Sequence, residues 1–181
     1  HSADNDGLAC RAVAHKTLGD TADLLGWDYG QPLPDLSPYS TVYMLDISLP
    51  IEVMRENAGK IILIDHHKTL IAAVEPFKGD FKGYYCIDGV AACRLAHQWF
   101  LREWRKSLGM IWLLPDKFQF VNRKVEEPYA IQLLGEYDIW DKRNPDTDLF
   151  QLGIQAEASP SWDLLLKDDA LATSLVAVIT A

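Results

Sequence analysis

Basic residues are in short supply. Lys and Arg number 17 against 26 Asp and Glu, giving a formal net charge of −9. A duplex-DNA binder holds phosphates with clustered Lys and Arg, and this composition argues against one that works through a basic surface. A small anionic substrate is still allowed, because bound divalent metals reverse the charge locally. Cysteine is scarce as well: Cys10, Cys86 and Cys93 make an odd number with no CxxC pair. They read as small core residues of a protein in a reducing compartment, not as redox or structural-zinc ligands. No run approaches the roughly 18 apolar residues of a membrane span, and no signal peptide is visible. A cytoplasmic protein without a membrane partner is therefore expected. Internal repeats and low-complexity tracts are lacking. The chain begins at His1 rather than Met and ends on the apolar LVAVITA, so a piece of a longer protein is expected.

What is present is ordinary globular material. The 181 residues are 49% apolar and 24% charged, enough for one domain with a sizeable core. Residues 7–26 hold small and apolar residues suited to a helix, with the acidic HSADND at its start, where the helix dipole favours negative charge. The Pro-rich QPLPDLSP (31–38) reads as a loop. TVYMLDIS (41–48) reads as a buried strand ending at Asp46, PIEVMRENA (50–58) as a short helix stopped near Gly59, and IILI (61–64) as a second buried strand. KGYYCID (82–88) is a third strand, and residues 89–108 form the clearest helix. Residues 126–141 read as a helix with a turn near Gly135, NPDTD (144–148) as a loop and 161–169 as a short helix. Strands alternating with helices predict an α/β fold: a mostly parallel sheet with flanking helices, Rossmann-like. In such a sheet, ligands bind outside the carboxyl ends of the strands.

Those ends carry the chemistry. Asp65-His66-His67 closes the IILI strand and Asp46 closes the one before it. His1, Asp4 and Asp6 cluster in HSADNDG, and Glu136, Asp138 and Asp141 in EYDIWD. Alone, Asp4 and Asp6 would pass for turn residues. Together with the DHH they point to ligands. Carboxylates with a few imidazoles suit manganese or magnesium better than structural zinc, and a close pair of such ions clamps a phosphoryl group and lowers the pKa of a water between them. The helix start near Gly89 could face a phosphate. Trp99, Trp104, Trp112 and Trp140 could stack bases, although aromatics at helical spacing are more often core.

HxxDxDG, then a strand-ending Asp, then DHH after a buried strand resembles the DHH phosphoesterase superfamily. The likeness runs from His1 to about Asp141. Members include RecJ-type exonucleases, nanoRNases, phosphatases of 3′-phosphoadenosine 5′-phosphate, cyclic dinucleotide phosphodiesterases, and the family II pyrophosphatases and exopolyphosphatases. The short HxxD spacing and the YDIW segment, which looks like the YDTW of nanoRNase-type members, favour the RecJ and nanoRNase side. The resemblance implies His1 and Asp4 on one metal, Asp6 on the other and Asp46 bridging both. It implies His66 as a metal ligand, His67 against the substrate phosphate, and Asp65 orienting the histidine. Asp138 is the match for the last metal-binding Asp, with Asp141 its rival. It also implies a catalytic domain over residues 1–150, with 151–181 a C-terminal extension or the start of a missing DHH-associated domain. The implied activity is hydrolysis of phosphodiester bonds in short single-stranded oligonucleotides or related nucleotides, with two manganese ions or magnesium in their place. The alternatives are pyrophosphate or polyphosphate hydrolysis at the same site, and a non-catalytic nucleotide- or metal-binding module.

Overall fold

The computed structural model describes residues 4–157, 160–167 and 169–180, the last three of these as backbone only. The elements run α1 (Asn5–Leu18), β1 (Val42–Leu45), α2 (Ile51–Glu56), β2 (Ile61–Asp65), α3 (Lys68–Val74), β3 (Gly83–Cys86) and α4 (Ala92–Ser107). There follow α5 (Lys117–Val121), α6 (Tyr129–Asp138), α7 (Asp146–Ala156), α8 (Trp162–Leu165) and α9 (Asp169–Thr180). The three strands form one parallel sheet in the order β1-β2-β3, with Val42 opposite Ile61 and Ile62 opposite Gly83. The fold is α/β, as expected. All five residues of the central strand β2 are buried, which is why it reads as one apolar run rather than an alternation.

The two faces of β2 feed two cores, because successive side chains leave a strand on opposite sides. Ile62 and Ile64 join Val13 of α1 and Leu95 of α4. Ile61 and Leu63 join Met54 of α2 and Leu70 and Val74 of α3. The sheet is thus the middle of three layers. Gly83 lets the Trp99 ring lie against β3, since a Cβ there would meet the ring at 2.6 Å.

Several boundaries differ from the sequence reading. The first helix stops at Leu18 rather than near 26: Gly19 takes φ 55 with ψ −144, a backbone open to glycine and not to continuing the helix, and its N–H bonds back to the His15 carbonyl. α6 runs through Gly135 without a turn, because the Arg94 side chain fills the space a Cβ would occupy there. α7 begins inside the expected 144–148 loop, where the Asn144 side chain accepts from the Asp146 N–H. The segment after the DHH forms α3, which the sequence pattern did not reveal. The expected boundary at 150/151 falls inside α7. Phe150, Ile154, Leu165, Leu166, Ala172 and Val176 share the core of α1, α4 and α6. Among the described residues, no helix is long and apolar enough to cross a membrane. The three cysteines are free, with Cys10 and Cys93 buried.

Candidate metal centre

β1 and β2 end side by side, so Asp46 and Asp65 leave the same rim of the sheet. The Asp46 N–H extends the ladder, donating to the Ile64 carbonyl at 3.1 Å, yet its own backbone turns to φ 57. That left-handed conformation is open to Asp but costs most L residues. Asp65 is 1% exposed. Its Oδ1 accepts from the backbone N–H of His66 at 2.7 Å and of His67 at 2.8 Å, and stands 2.7 Å from His67 Nδ1. One carboxylate oxygen therefore fixes both the turn and the His67 ring, and leaves Nε2 as the imidazole's other polar atom. It also raises the His67 pKa.

His66 is where the remaining groups converge. Its Nε2 lies 3.4 Å from Asp138 Oδ2, 3.5 Å from Asp46 Oδ1 and 3.7 Å from Asp6 Oδ2. Asp6 comes from the first turn of α1 and reaches the N-terminus of α4, where its oxygens accept from Cys93 N–H at 2.7 Å and Ala92 N–H at 3.0 Å. The helix start that the sequence offered to a phosphate thus receives the carboxylate of Asp6. Asp138 arrives at the last turn of α6. Asp4 caps α1 by accepting from Gly7 N–H at 2.8 Å, so the turn role read for it is present. His1 lies outside the described residues.

The structure separates the acidic candidates of EYDIWD. Glu136 is buried and accepts from Arg123 Nε at 2.7 Å and Nη2 at 2.9 Å. Asp141 is held by the Arg143 guanidinium at 2.7 Å, which lowers its pKa. Only Asp138 of the three joins His66. Arg143 is thereby engaged, and Trp99 is buried in the core.

The electrostatics are lopsided. A single Nε2–H cannot serve three oxygens, and Asp46 Oδ1 and Asp138 Oδ2 are buried with no hydrogen-bond partner. Burial, with Asp46 nearby, raises Asp6 to about 6. Burial and the Asp6 charge raise Asp138 to about 6 as well. Burial also raises Asp46. Against its own burial, His66 is driven up to about 9 by Asp46, Asp138 and Asp6. Buried carboxylates facing one another without a cation are destabilising.

A divalent cation fits this arrangement. Two groups, Asp46-His66-His67 and Asp6-His66-Asp138, each bring their ligand atoms within 4.8 Å of one another. Ligand atoms about 2.1 Å from an octahedral ion stand roughly 3 Å apart, so small side-chain adjustments close either group. Oxygen-rich donors with imidazole suit manganese or magnesium.

No family model, curated protein or solved structure matches this chain.

A cleft of about 550 Å³ opens beside Asp65 and His67. Trp27 and Tyr29 line it, in a stretch between the first helix and the Pro-rich loop that has no periodicity to mark it.

Proposed function

We propose that this chain is a metal-dependent phosphoesterase that hydrolyses phosphodiester bonds in short single-stranded oligonucleotides or related nucleotides. The observation that carries the reading is the meeting of Asp6, Asp46 and Asp138 at His66, with buried oxygens lacking partners, at the carboxyl ends of two parallel strands. The DHH resemblance independently assigns ligand roles to these same four residues. When bound, manganese or magnesium supplies Lewis acidity toward a phosphoryl oxygen and lowers the pKa of water.

The chain's own residues do the rest. Asp6, His66 and Asp138 form one ligand group, and Asp46 lies between it and His67, 3.5 Å from His66 Nε2 and 3.9 Å from His67 Nδ1. That position suits a carboxylate that would be shared by two ions; on the resemblance, Asp4 and His1, the latter outside the described residues, would hold the second. His67 is half exposed and oriented by Asp65. It donates from Nε2 to a non-bridging phosphate oxygen, where positive charge stabilises the negative charge held in the transition state. No covalent enzyme intermediate is required. Three unpaired thiols fit a reducing cytoplasm.

The test is cleavage of a labelled RNA dinucleotide by the full-length protein with manganese, beside His66→Ala. Turnover that falls at least about a thousandfold in the variant is expected for loss of a metal ligand. Absence of turnover in the wild-type protein with manganese bound overturns the reading. Phosphate release from pyrophosphate in the same assay would redirect it to pyrophosphate hydrolysis.

A further inference from the structure

The cleft beside His67 has a composition that the metal centre does not explain. Trp27 and Tyr29 stand at one wall as an edge-to-face pair, ring centroids 5.6 Å apart and planes at 70°. Leu33, Leu49, Pro50 and Ile51 add apolar surface. Among the described residues lining it, none is Lys or Arg. A polyphosphate chain extending from the metal centre would need cations there. An aromatic ring would not.

The aromatic wall is held in place. Asp28–Gln31 forms a turn closed by Gln31 N–H to the Asp28 carbonyl at 3.1 Å, with Gly30 at φ 90 in the position where a type II turn demands glycine. The Gln31 side chain accepts from the Asp28 N–H at 3.2 Å. Trp27 packs on the α2/α3 side of the sheet, and its indole N–H donates to the Pro32 carbonyl at 2.9 Å. Tyr29 is 65% exposed, yet its hydroxyl lies 3.0 Å from Ser48 Oγ, two residues past Asp46. An exposed ring tied to the strand end that carries the metal centre is already ordered for a ligand, which spares part of the entropy of binding. A volume of about 550 Å³ is in the range of small-molecule sites.

We propose that this cleft is a nucleobase subsite: Tyr29, backed by Trp27, stacks the base of a nucleotide whose phosphate lies against His67. This rests on the phosphoesterase reading for the position of the phosphate, and it assigns the place where that substrate's base is held. Stacking is tolerant of base identity because every base has a π-face, so little discrimination among bases is expected from this wall alone.

The experiment is calorimetric titration of the full-length, manganese-loaded protein with adenosine 5′-monophosphate and with ribose 5-phosphate, for the wild type, Tyr29→Ala and Tyr29→Phe. The expected result has four parts. The nucleotide binds at least about tenfold more tightly than the sugar phosphate. Tyr29→Ala loses about tenfold for the nucleotide only. Tyr29→Phe, which keeps the ring and loses the Ser48 contact, stays within about twofold of wild type. Manganese affinity is unchanged throughout. Equal affinity for the two ligands in the wild type, or an unchanged nucleotide affinity in Tyr29→Ala, overturns the subsite even if dinucleotides are cleaved. The expected binding pattern in a protein that cleaves no dinucleotide supports the subsite and defeats the phosphoesterase reading instead.

Discussion

Asp46 bears two costs at once, a left-handed backbone and a buried carboxylate oxygen without a partner. Strain and a buried carboxylate crowded by Asp6 are retained on one residue where they serve a site. Asn tolerates the same backbone and removes the charge. Asp46→Asn should therefore stabilise the metal-free protein by about 1 kcal/mol in urea denaturation with a chelator present, and weaken manganese binding at least about a hundredfold by calorimetry. A destabilised variant that still binds manganese tightly would mean that Asp46 serves the fold and not the metal. His97 offers a second test, away from the centre. Burial, with the charges of Lys16 and Arg105, holds its imidazole down at about 4, against an ordinary 6.5. Between those values the unfolded chain binds the extra proton, so stability is full above pH 6.5 and falls as pH drops toward 4. His97→Gln should remove about 2 kcal/mol of the fall between about pH 6.5 and 5, read as the difference between the two proteins' denaturation midpoints. At this scale the sequence was most legible where the chemistry is local: Asp65, His66 and His67 are consecutive, and Asp46 closes a recognisable strand. Choosing among Glu136, Asp138 and Asp141 was not possible from spacing. Residues two apart on a helix face different ways, and which way is inward depends on Arg123, which reaches Glu136 from α5's end.

At the scale of elements, the centre depends on how α1, α4 and α6 meet. The N-terminus of α4 is closed by Asp6 from α1, and the middle of α6 rests on Arg94 of α4. Arg94 cannot easily retreat. Its guanidinium is buried and forked onto Glu127, with Nε 3.1 and 3.0 Å from the two oxygens. A Cβ at Gly135 would meet Arg94 Cδ and, at 2.5 Å, Cγ. Gly135→Ala should thus cost about 1–3 kcal/mol by overpacking, against a helix-propensity gain of about 1 kcal/mol. It should also weaken manganese binding, because Asp138 lies one turn further along α6. A variant with raised stability and unchanged metal affinity would show that α6 tolerates displacement. This interlock explains the error at Gly135, which looks like a helix breaker until its neighbour is known. β2 was readable to within one residue because a central parallel strand is buried on both faces and runs apolar up to Asp65. α3, by contrast, has seven residues starting directly after His67, too few for a helical period to show beside the motif.

At the scale of the whole molecule, a net charge of −9 would set how the proposed anionic substrate approaches. The net acidic charge repels phosphates at long range, and under the proposed function a metal-loaded centre would attract them. Proteins that hold nucleic acid through many basic contacts lose roughly 10³–10⁵ in affinity between about 50 and 200 mM salt. Here the long-range term has the opposite sign, because added salt screens repulsion instead of attraction. The KM for a dinucleotide should therefore stay within about twofold or fall over that same range. At the low end, KM should rise with oligonucleotide length, since each added phosphate meets acidic surface outside the cleft. Steady-state kinetics with dinucleotide, tetranucleotide and octanucleotide at the two salt concentrations checks both trends. A KM that climbs tenfold or more with salt would locate a basic track on this molecule. The short substrate would then be a fragment of a longer strand bound elsewhere on the surface.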